Sequence, residues 1–573
     1  MSSVGKNSLI MASGTLASRI TGMIRSILLA AAIGTTGIAA NAYQTGSTIP
    51  QIIYTLISGG LFNAILVPQI VRALKTENSK ERLDKLVTLS IVLLLGITAV
   101  LMLSTHLITS IFLSSEWTGS QRALANAFTL WCTPQIFFYG LYTVLGQILA
   151  AKDKFAMYAW SSVAANIVSC AGFITFLILF GNAARQPLTF WTVDKIALTA
   201  GSWTAGVALQ ALLLFIPLIR SGYRFSFAWG VRGIGLRSMG SVAMWSLGIT
   251  IMTQITSILI TRIASGAPLA AGDLYGVAGN GSYQNAMSIY ILPYSLFAVS
   301  LATAIFPRMS YHISEQHIGT AADILSKTMR SCSLIMCFFT AVMMSISLPL
   351  TAVFLPSIDG HQMSLISPIM FALTLSLPFS SLALLAQRSF YAFEDGKSPF
   401  IIAAVQSGFM LIIQIVTWLC VSPAHQATML GYSASISYML CMPVMIVMIY
   451  KRFGPAFHIG IFTVTHIKIA LASLITFGVC WLTSHGLSSL LHFSAATAHG
   501  HKAWFIAVLM CAITTLVGAI SYAAVLLALH TTEFAESLIG IARRFKMNRL
   551  PIFSQILNSI APQESSNSTS TKH

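Results

Sequence analysis

Residues 8–33 read SLIMASGTLASRITGMIRSILLAAAI, an apolar run broken only by small or hydroxylated residues and by Arg19 and Arg25. A helix needs about 20 mostly apolar residues to cross a bilayer core, so this stretch is long enough to span. Runs of the same kind recur near 39–70, 87–113, 124–150, 157–181, 197–219, 239–264, 283–306, 329–354, 365–391, 399–421, 427–450, 462–484 and 503–529. The 573-residue chain is 56% hydrophobic and 8% charged, with a mean hydropathy of +0.79. Soluble domains carry about 25% charged residues. Lipid offers no partners to open backbone groups, which leaves helices closed on themselves. The expected fold is an all-α polytopic membrane protein of about fourteen spans. Lys6, Arg19 and Arg25 precede Ile27–Ile33, and Ala30-Ala31-Ala32 resembles a signal cleavage site. The apolar pattern, however, begins at Leu9, before the arginines, which argues for a retained first span.

An even number of spans places both termini on one side, and the basic residues choose it. With the N-terminus inside, 25 Lys and Arg fall on the inner side, including Arg72 to Lys85, Arg220 to Arg237, Lys451, Arg452 and Arg543 to Arg549. Four fall outside (Arg122, Arg185, Lys195, Lys502), and three lie within spans. The positive-inside rule therefore predicts cytoplasmic termini in a plasma membrane. The net charge of +17 is explained by these orienting loops, so no nucleic-acid partner is expected. The eight cysteines lie in apolar stretches without metal-ligand spacing, and the expectation is that they pack as small core residues.

The chain carries signs of duplication. Asn41-Ala42 with Ile49-Pro50, followed by Leu66-Val67-Pro68 and Arg72, is matched by Asn285-Ala286 with Leu292-Pro293, followed by Ile305-Phe306-Pro307-Arg308. The ends of spans 4 and 10, Leu149 to Phe155 and Phe390 to Pro399, correspond in the same way. This predicts an N-lobe over 1–222, a basic cytoplasmic linker at 223–238 and a C-lobe over 239–452. Two further spans over 453–530 and a cytoplasmic tail over 531–573, polar and disordered at its end, complete the layout. Six-helix halves of like topology that rock about a central cavity are a familiar transporter plan.

All fifteen Asp and Glu map to loops or tails on this reading, so the formal charges at depth are arginines. Arg19 lies roughly 16 Å into span 1 at 1.5 Å per residue, and Arg25 about 9 Å further on. A charge there costs about 2.5–3.5 kcal/mol or more, which makes an intramembrane arginine a functional hypothesis. A guanidinium without a carboxylate is free for an anion, and its geometry matches phosphate. Arg262, near the end of span 7, is a third candidate. Ser18, Ser26, Asn41, Gln44, Pro50, Asn285 and Ser288 complete the candidate substrate site, with Thr21, Thr45, Thr48, Gln51 and Gln254 at similar levels. No phosphate-binding loop ending in Lys-Ser/Thr is present. His106 and His466 lie in spans without a nearby acid, so the chain reads as a transporter rather than an enzyme, with no cofactor.

These residues resemble the MurJ/MviN lipid II flippases of the multidrug/oligosaccharidyl-lipid/polysaccharide exporter superfamily. The resemblance rests on Ala17 to Arg25, Asn41-Ala42-Tyr43 with Ile49-Pro50, Gly60 to Pro68, Pro134 to Gly140, and Gln387 to Ala392 with Asp395 and Pro399. Val231 to Trp245 is similar to the actinobacterial branch. The resemblance implies a cytoplasm-to-outside flip of the undecaprenyl-pyrophosphate-linked precursor of peptidoglycan. It also implies that Arg19 and Arg25 engage the pyrophosphate and that the last two spans hold the lipid tail. Membrane lipids and wall-synthesis or division proteins are its candidate partners. Ser26 stands where the family often has an acid, Asn41 where it often has Asp, and Ser288 where it has a basic residue. With those charges gone, drive by the membrane potential is expected in place of carboxylate-dependent ion coupling. Three rival functions share the composition: a flippase for another polyprenyl-linked glycan, a multidrug exporter of the superfamily, and a non-transporting wall-synthesis scaffold. A multidrug exporter would want intramembrane acids for cationic drugs. A scaffold would tolerate charge changes in spans 1 and 2.

Overall fold

A computed structural model describes residues 3–59, 79–152, 154–230, 241–498 and 500–536. The end of span 2 with its Gly60 to Pro68 motif, most of the expected linker and the tail beyond residue 536 lie outside the described residues. In chain order the principal helices are α1 (Ser3–Ile33), α2 (Gly37–Ile57), α3 (Ser79–Leu103), α4 (Thr105–Phe112), α5 (Gly119–Cys132), α6 (Gln135–Ala151), α7 (Phe155–Phe180), α8 (Ser202–Leu212) and α9 (Phe215–Arg220). They continue as α10 (Ser241–Ala270), α11 (Asn280–Pro293), α12 (Val299–Ser314), α13 (Ile318–Ser345), α14 (Ser347–Phe354), α15 (Gly360–Thr374) and α16 (Leu377–Ala392). The last four are α17 (Lys397–Cys420), α18 (Pro423–Phe453), α19 (Ile459–Leu490) and α20 (Gly500–Ala528).

Eleven helical segments among the described residues are long and apolar enough to cross a membrane, or twelve if the bent pair α15–α16 is one span. Of the fourteen expected, span 2 is described only to Gly59, and span 4 is divided into α5 and α6 at Thr133-Pro134. Breaks are frequent elsewhere. A π-turn at Ala197–Gly201 leads into α8, and another at Tyr294–Ala298 joins α11 to α12 directly after Pro293. In α2, Pro50 stays within the helix, and π-turn residues appear eight positions on, at 58–59. Proline removes a helical donor and π-turns widen the ladder, so the regular hydrogen-bond ladder is interrupted at these points; α15 and α16 meet at a bend of 44°.

Local chemistry fixes the helix ends. Thr118 and Gln121 form a reciprocal capping box on α5, and the Asp359 carboxylate accepts the Gln362 N–H at 2.8 Å to cap α15. The α1–α2 turn needs Gly34 (φ +84°) and Gly37 (φ +86°), where a Cβ would also lie 2.6 Å from Ala184 and 2.7 Å from Tyr275. Gly14 lets α1 approach α7, since a Cβ there would stand 2.8 Å from Ala159. One large buried cluster unites α10 to α18 around residues such as Met329, Ile366, Leu385 and Met445. Separate clusters around Phe128, Phe173 and Phe176, and around Leu94, Leu145 and Leu214, serve the N-terminal half. Large apolar residues such as Leu103, Ile178, Leu474 and Leu516 lie exposed on the outside, as lipid contact requires. Cysteine burial is less uniform than expected. Cys132, Cys332, Cys441 and Cys480 are buried, whereas Cys420 at the end of α17 is exposed.

The acids also depart from expectation. Glu81 and Asp84 sit near the start of α3 and Asp323 near the start of α13, inside helices rather than between them. The positive helix N-terminus favours them there. Asp84 is buried and accepts the hydroxyls of Tyr223 (2.8 Å) and Ser226 (2.6 Å). Glu533, read as tail, returns to α13, where it is buried and paired with Arg330, beside the Lys327–Glu536 pair. His466 lies in the same place, against the Ser333 hydroxyl at 2.9 Å. Arg330→Ala leaves a buried carboxylate without its cation, a loss of about 3–5 kcal/mol. A thermal unfolding midpoint lowered by several degrees in detergent is expected, with partial recovery in the Arg330→Ala, Glu533→Leu double variant.

Candidate substrate site between the two halves

At the end of the bundle where α1 finishes and α2 and α11 begin, the two halves are joined by hydrogen bonds. The Asn41 side-chain oxygen accepts the Gly281 N–H at 2.9 Å, and Asn285 donates to the Gly281 carbonyl at 2.8 Å. The two asparagines of the repeated motif thus converge on one glycine. Ser282 donates to the Thr35 carbonyl (3.1 Å), Gln362 to Thr36 (3.3 Å), Asn280 to Thr45 (3.3 Å) and the Gly37 N–H to the Leu274 carbonyl (3.0 Å). A Cβ on Gly281 would meet the Thr35 carbonyl oxygen at 2.6 Å, so the seam closes because that residue has no side chain. Asn41, expected as a ligand, is buried here, and Pro50 is buried in the body of α2.

Away from the seam the halves part around a cavity of about 480 Å³. One wall is α1, presenting Met11, Thr15, Ser18, Arg19, Gly22, Arg25 and Ser26. Tyr142, Tyr158, Ser162 and Asn166 of α6 and α7 line the cavity too, as do Ser288, Ile289, Ile291 and Leu292 of α11 with Phe354 and Leu355. Asn166 fixes the α1 wall by donating to the Ser18 carbonyl and the Thr21 hydroxyl, both at 3.0 Å. The cavity continues between α1, α2 and α11 into a 170 Å³ recess lined by Arg25, Ser26, Gln44, Gln51, Trp203, Gln284, Asn285 and Ser288. That recess shares Thr48, Gln51 and Gln284 with a third space of 240 Å³ against α10.

Arg25 is half-buried where the first two spaces meet. Its guanidinium carbon lies 3.7 Å above the centre of the Trp203 ring, and its Nε is buried without a hydrogen-bond partner. A cation over indole gains about 0.5–2 kcal/mol and uses none of the N–H donors. Arg19 is exposed on the same wall. Among the described residues neither arginine has an acidic partner. The pair therefore offers positive charge and open donors to an anion, with bidentate phosphate geometry available at each fork.

The structure thus brings Ser18, Arg19, Arg25, Ser26, Gln44, Asn285 and Ser288 to one cleft. It places Arg262 apart, in a separate space of 350 Å³ with Glu116, Trp418 and Gln426. There one guanidinium nitrogen donates to the carbonyls of Ser110 (3.1 Å) and Ile111 (3.0 Å), capping the last turn of α4. Sequence reasoning passed over Trp203, Asn166, Tyr142, Tyr158 and Gln284. The aromatics look like ordinary apolar helix, and the amides signal a polar need without naming its partner.

Residues 29–500 match the family profile described as lipid II flippase MurJ. The chain is 24% identical over 496 residues to "Lipid II flippase MurJ" of Thermosipho africanus, covering 83% of this chain and 90% of that one. It is 24% identical over 403 residues to a probable lipid II flippase MurJ of Synechocystis, covering 68% and 72%. The fold is similar to that of a lipid II flippase MurJ solved in an inward closed conformation, with a TM-score of 0.66 at 20% identity over 91% of this chain and all of that one. It is also similar to an inward-facing MATE transporter of the MOP superfamily, with a TM-score of 0.59 at 14% identity over 78% of this chain and 98% of that one. The chain belongs to the lipid II flippase MurJ family.

Proposed function

We propose that this protein flips lipid II from the cytoplasmic to the outer leaflet by alternating access, without chemistry of its own. The observation that carries the reading is a cationic cavity, built by Arg19 and Arg25 of α1, with no acid among the described residues of its lining. A pyrophosphate headgroup supplies the missing anion. The basic-loop asymmetry supports cytoplasmic termini, which turns the hydrogen-bonded seam outward and opens the cavity inward. The N-lobe (1–222) and C-lobe (239–452) then rock about the cavity, while α19 and α20 receive the polyprenyl tail along their exposed apolar faces.

Depletion of the protein tests this directly. Lipid II is expected to accumulate in the inner leaflet, and accumulation of a different polyprenyl-linked glycan instead would reassign the substrate. The drive is proposed to be the membrane potential. A charge crossing the full field gains about 2.3 kcal/mol per 100 mV. Collapse of the potential alone, with the proton gradient kept, is expected to stop transport. Undiminished transport would rule this drive out.

A further inference from the structure

We propose that the cleft beyond Arg25 is a separate subsite for the neutral sugar part of the headgroup, formed by the amides of Gln44, Gln254 and Gln284. The inference rests on the flippase reading and divides its cavity by chemistry. Gln44 lies on the face of α2 that also presents Thr48, Gln51 and Thr55, spaced three, four or seven residues apart, as one helix face requires. Gln254, Ser257 and Thr261 of α10 repeat the pattern, and Gln284 and Ser288 of α11 close the third side.

Two properties of this lining point to a ligand class. Past Arg25 the described wall sets amides and hydroxyls among apolar side chains such as Ile52, Ile260 and Met287, and among the described residues it holds no acidic or basic side chain. Among the described residues the side-chain amides of Gln44, Gln254 and Gln284 have no hydrogen-bond partner, whereas the hydroxyls beside them mostly return to their own helix, as Thr55 does to Gln51 and Thr261 to Ser257. Each free amide offers two donors and an acceptor with two lone pairs. Such groups suit the hydroxyl and acetamido groups of a sugar. Arg25 is the one cation among the described lining residues, and with the diphosphate on it the cleft beyond does not suit the carboxylates of a peptide, which would lose their hydration there uncompensated. Arg25 at the boundary holds the diphosphate, and the sugar attached to it extends along the glutamines.

The full-length protein in nanodiscs tests this with three probes: undecaprenyl pyrophosphate, the same lipid carrying one sugar, and the lipid carrying the disaccharide. Gln44→Leu with Gln284→Leu is expected to lower the preference for the sugar-bearing lipids over the bare lipid by roughly threefold to tenfold per amide. Gln284→Met keeps the length of the side chain without its amide and adds no charge beside Arg25, guards against misfolding of the leucine variants, and is expected to lower the same preference. Arg25→Ala is expected to weaken all three lipids together. An unchanged preference, or equal loss for bare and sugar-bearing lipids in the glutamine variants, overturns the subsite and leaves the flippase reading standing. Full binding of all three lipids by Arg25→Ala overturns the flippase reading itself.

Discussion

Arg25→Ala is expected to abolish support of growth in cells depleted of the native protein, while the variant still reaches the membrane at normal levels. The guanidinium contributes little to the fold: no ion pair, no hydrogen bond from its buried Nε, and one stacking contact with Trp203. Its loss removes two charge-assisted hydrogen bonds to a diphosphate, each worth about 1.5–3 kcal/mol, or roughly a hundredfold to ten-thousandfold in affinity together. Arg25→Lys keeps the charge and loses the fork, so it should fall between. Quantitative complementation across a titrated expression range, with immunoblotting of membranes, separates the outcomes. Normal growth with Arg25→Ala at native level would remove the cation from the mechanism.

The second large effect is expected at Gly281. A valine there places a Cβ 2.6 Å from the Thr35 carbonyl oxygen, and backbone cannot swing aside as a side-chain tip can. The N-terminus of α11 must withdraw, and the bonds from the Gly281 N–H to Asn41 and from the Ser282 hydroxyl to Thr35 go with it. The seam should then stand open, with transport lost because one of the two alternating states is gone. A reporter cysteine replacing the buried Ala278, in a background lacking the native cysteines, reads this out. Labelling by a membrane-impermeant maleimide added outside intact cells is expected to rise at least tenfold in Gly281→Val. Unchanged labelling would mean that Gly281 is not where the halves close.

Arg19 and Arg25 were legible in the sequence because charge in an apolar run is costly and needs a reason. The spans were legible because hydrocarbon accepts little else. What the sequence withheld is pairing across distance. Asn41 looked like a ligand, since a buried amide must have a partner, yet nothing local says that the partner is the Gly281 backbone 240 residues on. Arg262 posed the same problem and proved to cap the end of α4. Glu533 read as part of a solvated tail, but it meets Arg330 across 203 residues. Trp203 was invisible for the opposite reason: an aromatic residue in a membrane helix needs no explanation until the cation beneath it is seen.

The π-turn directly after Pro293 carries a mechanical consequence. A regular helix resists bending because its ladder of bonds must stretch on one side, whereas a segment already out of register has little left to strain. Such a joint lets α11, the half of the span nearest the seam, swing while α12 keeps its grip on α13 and α16. A reversal of access built on this joint proceeds by an articulated lever, and the lobe need not move as a solid block.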